Sequence, residues 1–430
     1  MYIFYIPNLL LFREWPLLYD IAIIGGGIVG VAIARGITEQ FKNVQCILIE
    51  KENKLGKHQS SHNSGIVHSG IYYKPGSLKA QLCSKGLDQI INYCNEHGIP
   101  YKMNGKLIVA KDHTETNALS MLYNRAKQNN VQDIEMLYTR QQIRKIEPKC
   151  NGIQALWCPN TSNVNWSFVT EHFANDFRRN GGDILLNNEV IDIQPSSDSA
   201  YPIRIISRAS NEIKSKYLII CGGLRSGELS NIVDRISEEK ATYLSLKVDY
   251  HLTETRRFNT NIYGVPNVEL PFLGPHISPR LDGDVLLGPA AIPAYGMEGY
   301  RYSECGFTYL KNIMNTSNFQ NMTRRYFFTC LNQLFSTFSP NYQAQQLQRL
   351  AEINAADIKP GPTAVQGVLI NKDGTFVDDF VFDFFKGDGI RKRIINCKFL
   401  PSPAASCSMS IAKFVVDNFT ANIEDNIFNL

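Results

Sequence analysis

The sequence predicts an α/β protein in which a Rossmann-like dinucleotide-binding domain carries an inserted, strand-rich α+β substrate domain. Three observations predict it. Tyr19 to Ile24 is an apolar strand that runs into Gly25-Gly26-Gly27-Ile28-Val29-Gly30 and then an apolar, helix-like stretch from Val31 to Ile37. Cys46 to Ile49 is a second strand-like run, and it closes on Glu50. Much later, Tyr217 to Cys221 is a wholly apolar run ending in Gly222-Gly223, the pattern of a central parallel strand.

Strand, glycine turn, helix, strand and acid together make the dinucleotide fingerprint. Gly25 permits the tight turn, Gly27 lets a phosphate approach the backbone, and Gly30 lets the helix close on the strand. The phosphates then meet the helix N-terminus at Ile28, where free N–H groups and the dipole favour negative charge. Glu50, with Lys51 beside it, lies about 20 residues past the last glycine, where an acid accepts from a ribose hydroxyl. The turn alone does not say which dinucleotide binds.

A chain of 430 residues suffices for two or three folding units. Its formal charge of +4 is small for that length and gives no reason to expect nucleic acid as a partner. The ten cysteines include no CxxC pair, which suits a reducing compartment and predicts neither structural disulfide nor metal site. The segment 1–18 is apolar and aromatic with Arg13 its only basic residue, and its apolar run is too short to span a bilayer. A leader, a membrane-surface anchor giving peripheral membrane association, and a start placed too early all remain open readings of it.

After Glu50 the chain enters a run from His58 to Gly76 dense in small, polar and histidine residues. Such loops on a rigid scaffold are where binding residues gather. Helical spacing follows from Ser77 to His97, stopped by Gly98. Gly105 to Ala110 reads as a strand, Glu115 to Gln128 as a helix, and Trp166 to about Asn180 as another, stopped by Gly181-Gly182. Ile184-Leu185-Leu186 and Glu189 to Ile193 are expected to pair as strands, and Pro202 to Ile206 with Glu212 to Lys216 as short antiparallel ones. Strand-like pieces fill Ala241 to Gly288, helices fill Phe307 to Ala356, and a closing helix covers Ser408 to Asn422. The expected division is 19–94, 151–240 and 361–424 for the nucleotide-binding domain, and 95–150 and 241–360 for the substrate domain.

The run His62-Asn63-Ser64-Gly65-Ile66-Val67-His68-Ser69-Gly70-Ile71-Tyr72-Tyr73-Lys74-Pro75 carries a closer likeness. So do Gly105 to Ala110, Pro271 to His276, Val377 to Asp383 and Pro401 to Ala405. On these residues the chain resembles the FAD-dependent oxidoreductases of the D-amino-acid oxidase and glycerol-3-phosphate dehydrogenase superfamily, and within it the L-2-hydroxyglutarate dehydrogenases. The resemblance implies FAD, mitochondrial residence, a small 2-hydroxy acid as substrate and an electron acceptor other than NAD. It also implies that Val190 meets the adenine, that Cys221 and Gly222 lie near the pyrophosphate, and that Asn63, Ser64 and Gly65 lead toward the flavin. It further implies that Pro403 and Ala404, just before a helix, bring backbone groups to the flavin pyrimidine edge.

Oxidising a 2-hydroxy acid removes a hydride from C2 and a proton from the hydroxyl, so the protein must provide a base and partners for carboxylates. His68 and His276 are the candidate bases; Tyr72, Lys247 and Arg301 are the candidate substrate contacts. The family as resembled carries arginine where this chain has Lys247 and Gln366. The expected reaction is oxidation of L-2-hydroxyglutarate to 2-oxoglutarate. The alternatives are a related oxidoreductase of another hydroxy acid, an amino acid or glycerol 3-phosphate, and a flavin-binding protein without turnover.

Overall fold

The computed structural model describes residues 17–209, 212–234, 241–253, 258–266, 270, 274–300 and 306–423. The N-terminal segment up to residue 16, the stretch 271–273 and Arg301 lie outside the described residues.

Strand β1 (Leu17–Ile24), helix α1 (Ile28–Gln40) and strand β2 (Cys46–Ile49) form at the predicted places. β1 is flanked on one side by β2 and on the other by the strand Glu212–Ile220, parallel to both. Its alternate residues feed two cores. Ile21 and Ile23 face helices, while Ala22 and Ile24 meet Ile205, Ile213 and Leu218 on the opposite face. Burial on both faces is what a parallel sheet under helices requires, and it explains the unbroken apolar run. Truncating Ile23 to alanine would open a void costing about 2–5 kcal/mol. α1 packs between the closing helix Ser408–Asn422 and the helix Trp166–Arg179.

Two eight-stranded sheets carry the molecule. The first runs Val190–Pro195, Ile203–Ser207, Glu212–Ile220, β1, β2, Asp183–Leu185, with Ile394–Phe399 and Val381–Phe384 branching from Glu212–Ile220. The second runs Lys359–Asn371, Ala241–Thr253, Val285–Pro293, His276–Pro279, Asn261–Gly264, Lys106–Ala110, Gln154–Cys158, Glu135–Leu137. A small sheet of Ile66–Val67, Ser162–Val164 and Tyr101–Lys102 lies where the chain passes between them.

Two expectations are corrected. Asp183–Leu185 and Val190–Pro195 do not pair; they form opposite edges of the first sheet, because the former extends β2 and the latter joins Ile203–Ser207. Residues 212–216 and 217–220 are one continuous strand, antiparallel to Ile203–Ser207 in its first half and parallel to β1 throughout. Gln154–Cys158, just past the expected division at 151, and Lys359–Asn371, which straddles that at 361, both hydrogen-bond into the second sheet. The helix Leu78–His97 matches its sequence limits, with Ser77 as N-cap accepting from Ala80 and Gly98 in the left-handed conformation (φ +64°) as C-cap.

Candidate functional site

A cavity of about 800 Å³ opens at the carboxyl ends of β1 and Glu212–Ile220, where the strand order reverses, and extends to the second sheet. Crevices at such switch points are where open α/β sheets bind ligands. Gly25, at φ +108°, makes the turn, and a Cβ there would collide with the Cys221 carbonyl. A Cβ on Gly30 would strike the Gly25 carbonyl, so this glycine is what lets α1 close on the turn. Gly27 caps α1 without a side-chain acceptor, no acid lies in the first turn, and the Ile28 amide donates to Ser60 Oγ at 2.9 Å. The helix thus presents its positive end to the cavity.

Glu50 is buried, yet its Oε2 accepts from the Gly26 amide at 2.6 Å and its Oε1 from the Glu52 amide at 2.9 Å. The carboxylate is pinned on the cavity wall, as a ribose acceptor must be. Val190 and Gly222 line the same cavity from either side of this end. A glycine cradle that any side chain would fill, a helix N-terminus and a fixed acid fit a dinucleotide.

Lys51 also lies on the wall, but its ammonium is held by Glu298 at 2.8 Å and by Glu52, with His58 Nε2 at 3.0 Å. Burial opposes ionisation of Glu52, yet hydrogen bonds from Lys51, Lys57 and His58 win and hold its carboxyl down to about 2. Glu52, His58 and Glu298 are spaced like metal ligands, but Lys51 already supplies the positive charge among them. The group clasps the nucleotide loop to the second domain. Tyr300 adds its hydroxyl at 3.3 Å from His58 Nδ1 and a tilted ring against His62.

The loop toward the other end of the cavity is self-bonded. Asn63 Nδ2 donates to the Gln59 and Ser60 carbonyls, and its Oδ1 accepts from the Gly65 amide. Asn63 and Ser64 reach the cavity, whereas Gly65 does not line it; its φ of +75° turns the chain beneath Val164. Pro403 and Ala404 line the cavity too. The Ala404 amide donates to the Pro401 carbonyl at 3.0 Å, so the donors this turn offers are Ala405 and Ser406. Ser406 Oγ accepts from the His68 amide at 2.9 Å, fixing the two loops to each other.

His68 lines the cavity with its Nδ1 buried and without a partner among the described residues. Burial first, then the charges of Lys106, His276 and Lys79, hold its pKa well below the ordinary histidine range. His276 sits in the layer behind, only 3% exposed, its ring stacked on Tyr263 at 4.3 Å. Its Nδ1 lies 3.1 Å from the Gly274 carbonyl, so Nδ1 carries the proton and Nε2, buried without a partner, is an acceptor. Burial, aided by Lys106, pushes its pKa down to about 4. Both rings are neutral at pH 7.

The expected anion contacts fare unequally. Lys247 is buried and its ammonium is committed to the Asp249 carboxylate, which also accepts from Thr363. Gln366 lines the cavity. The Tyr72 hydroxyl is buried without a partner among the described residues. Three residues escaped the sequence. Gln59 and Ser60 precede the HNSG run by a few positions, and Gln59 Oε1 accepts from the Gly367 amide at 3.2 Å. Lys106 stood in view inside GKLIVA, but nothing local marks it as more than a strand residue.

Fold and cavity define a flavin-type dinucleotide-binding oxidoreductase with a second domain covering its cofactor crevice. The chain matches the FAD dependent oxidoreductase family over residues 20–333 and belongs to it; FAD is its cofactor. Among curated relatives it is 40% identical to the mitochondrial L-2-hydroxyglutarate dehydrogenase of Nematostella vectensis, over 93% of this chain and 90% of that protein. It is 37% identical to the Homo sapiens protein of the same name, over 94% and 89%. Among solved structures it shares the fold of the FAD-bound L-alpha-glycerophosphate oxidase from Mycoplasma pneumoniae, with TM-score 0.74 and 20% identity over 94% and 95% of the two chains. It likewise resembles glycine oxidase from Geobacillus kaustophilus, with TM-score 0.68 and 16% identity over 95% and 96%.

Proposed function

We propose that the protein oxidises L-2-hydroxyglutarate to 2-oxoglutarate. The carrying observation is that relatives bearing that activity in their names align over nearly the whole chain, with His68 on the cavity wall. Bound FAD supplies the two-electron acceptor for the C2 hydride. Gly25, Gly27, Ile28 and Gly30 would hold its pyrophosphate, Glu50 its ribose and Val190 its adenine. His68, neutral at pH 7 and on the cavity wall, takes the hydroxyl proton. His276 Nε2, kept free of a proton by the Nδ1 bond to Gly274, offers a second station behind it. The amides of Ala405 and Ser406, next to the start of Ser408–Asn422, line the cavity and would stabilise negative charge on a reduced flavin there.

The protein works in the mitochondrion, as the relatives' names support, and the reading gives its electrons to an acceptor other than NAD. The helix Phe327–Phe338 exposes Phe327, Phe328, Leu334, Phe335 and Phe338, directly after exposed Arg324 and Arg325. Aromatic residues beside basic ones suit the surface of an anionic bilayer, which supports peripheral membrane association. Among the described residues no helix is long and apolar enough to cross a membrane.

A second reading keeps FAD and changes the reductant to another hydroxy acid, an amino acid or glycerol 3-phosphate. It draws on Lys247 being paired with Asp249 and on Gln366 at the cavity. Anaerobic mixing of the holoprotein with each reductant separates the two, because only the true substrate bleaches the flavin. Bleaching by none of them would leave a flavin protein without turnover.

A further inference from the structure

Three lysines are buried among the described residues: Lys79, Lys106 and Lys247. Lys79 has Asp378 at 3.2 Å, and Lys247 has Asp249. Lys106, 1% exposed at the start of the strand Lys106–Ala110, has neither ion pair nor hydrogen bond to its Nζ among the described residues. Its ammonium lies between two tyrosine rings, 5.0 Å from the Tyr72 centroid and 4.8 Å from that of Tyr263. An ammonium taken from water without a counter-charge is destabilising, and two aromatic faces offset only part of that. Folding has no use for it here.

The neighbours point the same way. The Tyr72 hydroxyl, His68 Nδ1 and His276 Nε2 are all buried without partners among the described residues, and all belong to the residues around Lys106. Tyr263 ties the set together, stacked on His276 and under the Lys106 ammonium. Of the set only His68 lines the cavity, and the others stand in the layer behind it. A buried water would serve the hydroxyl and the ring nitrogens but would leave the charge uncompensated. What satisfies a cation and a hydroxyl donor together is an anion.

We propose that Lys106 is the cationic anchor of an anion subsite, its Nζ and the Tyr72 hydroxyl receiving one carboxylate of the dicarboxylic substrate. The assignment rests on the L-2-hydroxyglutarate reading, and it supplies the charge that the Lys247–Asp249 pair withholds. It also couples binding to chemistry. The lone Lys106 charge disfavours a proton on His68, and a carboxylate seated on Lys106 cancels that field, so substrate binding makes His68 a better proton acceptor.

The test uses holoprotein and Lys106→Met, which keeps the apolar stem and removes the charge. Glutarate, 2-oxoglutarate and acetate are titrated against the flavin absorbance spectrum, with FAD content and thermal midpoint recorded for both proteins. Wild type binds glutarate and 2-oxoglutarate, and Lys106→Met, still loaded with FAD, binds them at least about tenfold more weakly. A parallel loss for acetate assigns the subsite to the reacting carboxylate; an acetate response unchanged from wild type assigns it to the distal one. The pH dependence gives an independent readout, since the His68 pKa in the free enzyme rises in Lys106→Met, which a packing role would not produce. Should the variant shed its FAD, Lys106→Gln and Tyr72→Phe, each milder in shape, must show the same weakening. A variant that binds glutarate as tightly as wild type, or a wild type that binds no carboxylate, overturns the proposal. Glutarate bound through Lys106 in a protein that L-2-hydroxyglutarate does not reduce would instead overturn the substrate reading and leave the subsite standing.

Discussion

Removing the Lys106 charge should make the ligand-free pocket more stable. Burial pulls the lysine from its ordinary 10.5 to about 8. The difference, 10.5 − 8, is 2.5 units, which at about 1.36 kcal/mol per unit is a cost of about 3 kcal/mol at neutral pH. The cation–π contacts with Tyr72 and Tyr263 return about 0.5–2 kcal/mol each, and a methionine sulfur regains part of that against the same rings. Lys106→Met is therefore expected to be more stable than wild type by about 1–2 kcal/mol at neutral pH. The sign depends on pH. Because the folded pKa lies below the unfolded one, the unfolded chain holds a proton between about pH 8 and 10.5 that the folded protein has shed, so wild-type stability climbs through that window. The gap to Lys106→Met should close by about pH 10. Urea unfolding of both proteins at saturating FAD, at neutral pH and about pH 10, measures it. A less stable variant, or a difference independent of pH, would refute the reasoning.

Three further outcomes are expected. Gly30→Val drives a side chain into the Gly25 carbonyl, a strain of about 1–3 kcal/mol at the turn, and should weaken FAD binding about tenfold or more by flavin-to-protein ratio; full FAD content would contradict the role given to this glycine. His68→Asn should keep FAD but lower kcat/KM about 10²–10⁴-fold. In wild type, kcat/KM should stay level as pH falls through 6.5 and decline only below it, because the folded His68 pKa lies under the ordinary value; a decline centred above 6.5 would count against it as the base. Phe328→Ser with Phe335→Ser should abolish sedimentation with anionic vesicles while leaving kcat with a soluble acceptor unchanged; undiminished sedimentation removes the helix Phe327–Phe338 from the membrane account.

Much of the nucleotide-binding half was legible because its signals are local. The glycine turn, Glu50 and the caps Ser77 and Gly98 act within a few residues of themselves, and all sit where their spacing placed them. Strand partners were not legible. Asp183–Leu185 and Val190–Pro195 look like a hairpin, but their partners are β2 and Ile203–Ser207, chosen by which face of each must be buried. Lys359–Asn371 likewise follows helices in sequence yet pairs with Ala241–Thr253. The pocket behaves the same way. His68 and Tyr72 come from one loop, Lys106 from the far side of a helix, and Tyr263 and His276 from two later strands. Only the fold reveals that Lys247 has a carboxylate of its own and that Lys106 has none among the described residues.

The central claim is that this flavoprotein takes its electrons from L-2-hydroxyglutarate. Anaerobic addition of that acid to the holoprotein, followed at about 450 nm where oxidised flavin absorbs, tests it most directly. Bleaching, with 2-oxoglutarate formed in equal amount to the flavin reduced, is the predicted result. A flavin that stays oxidised with this acid, yet bleaches with another reductant of the panel, would contradict the claim.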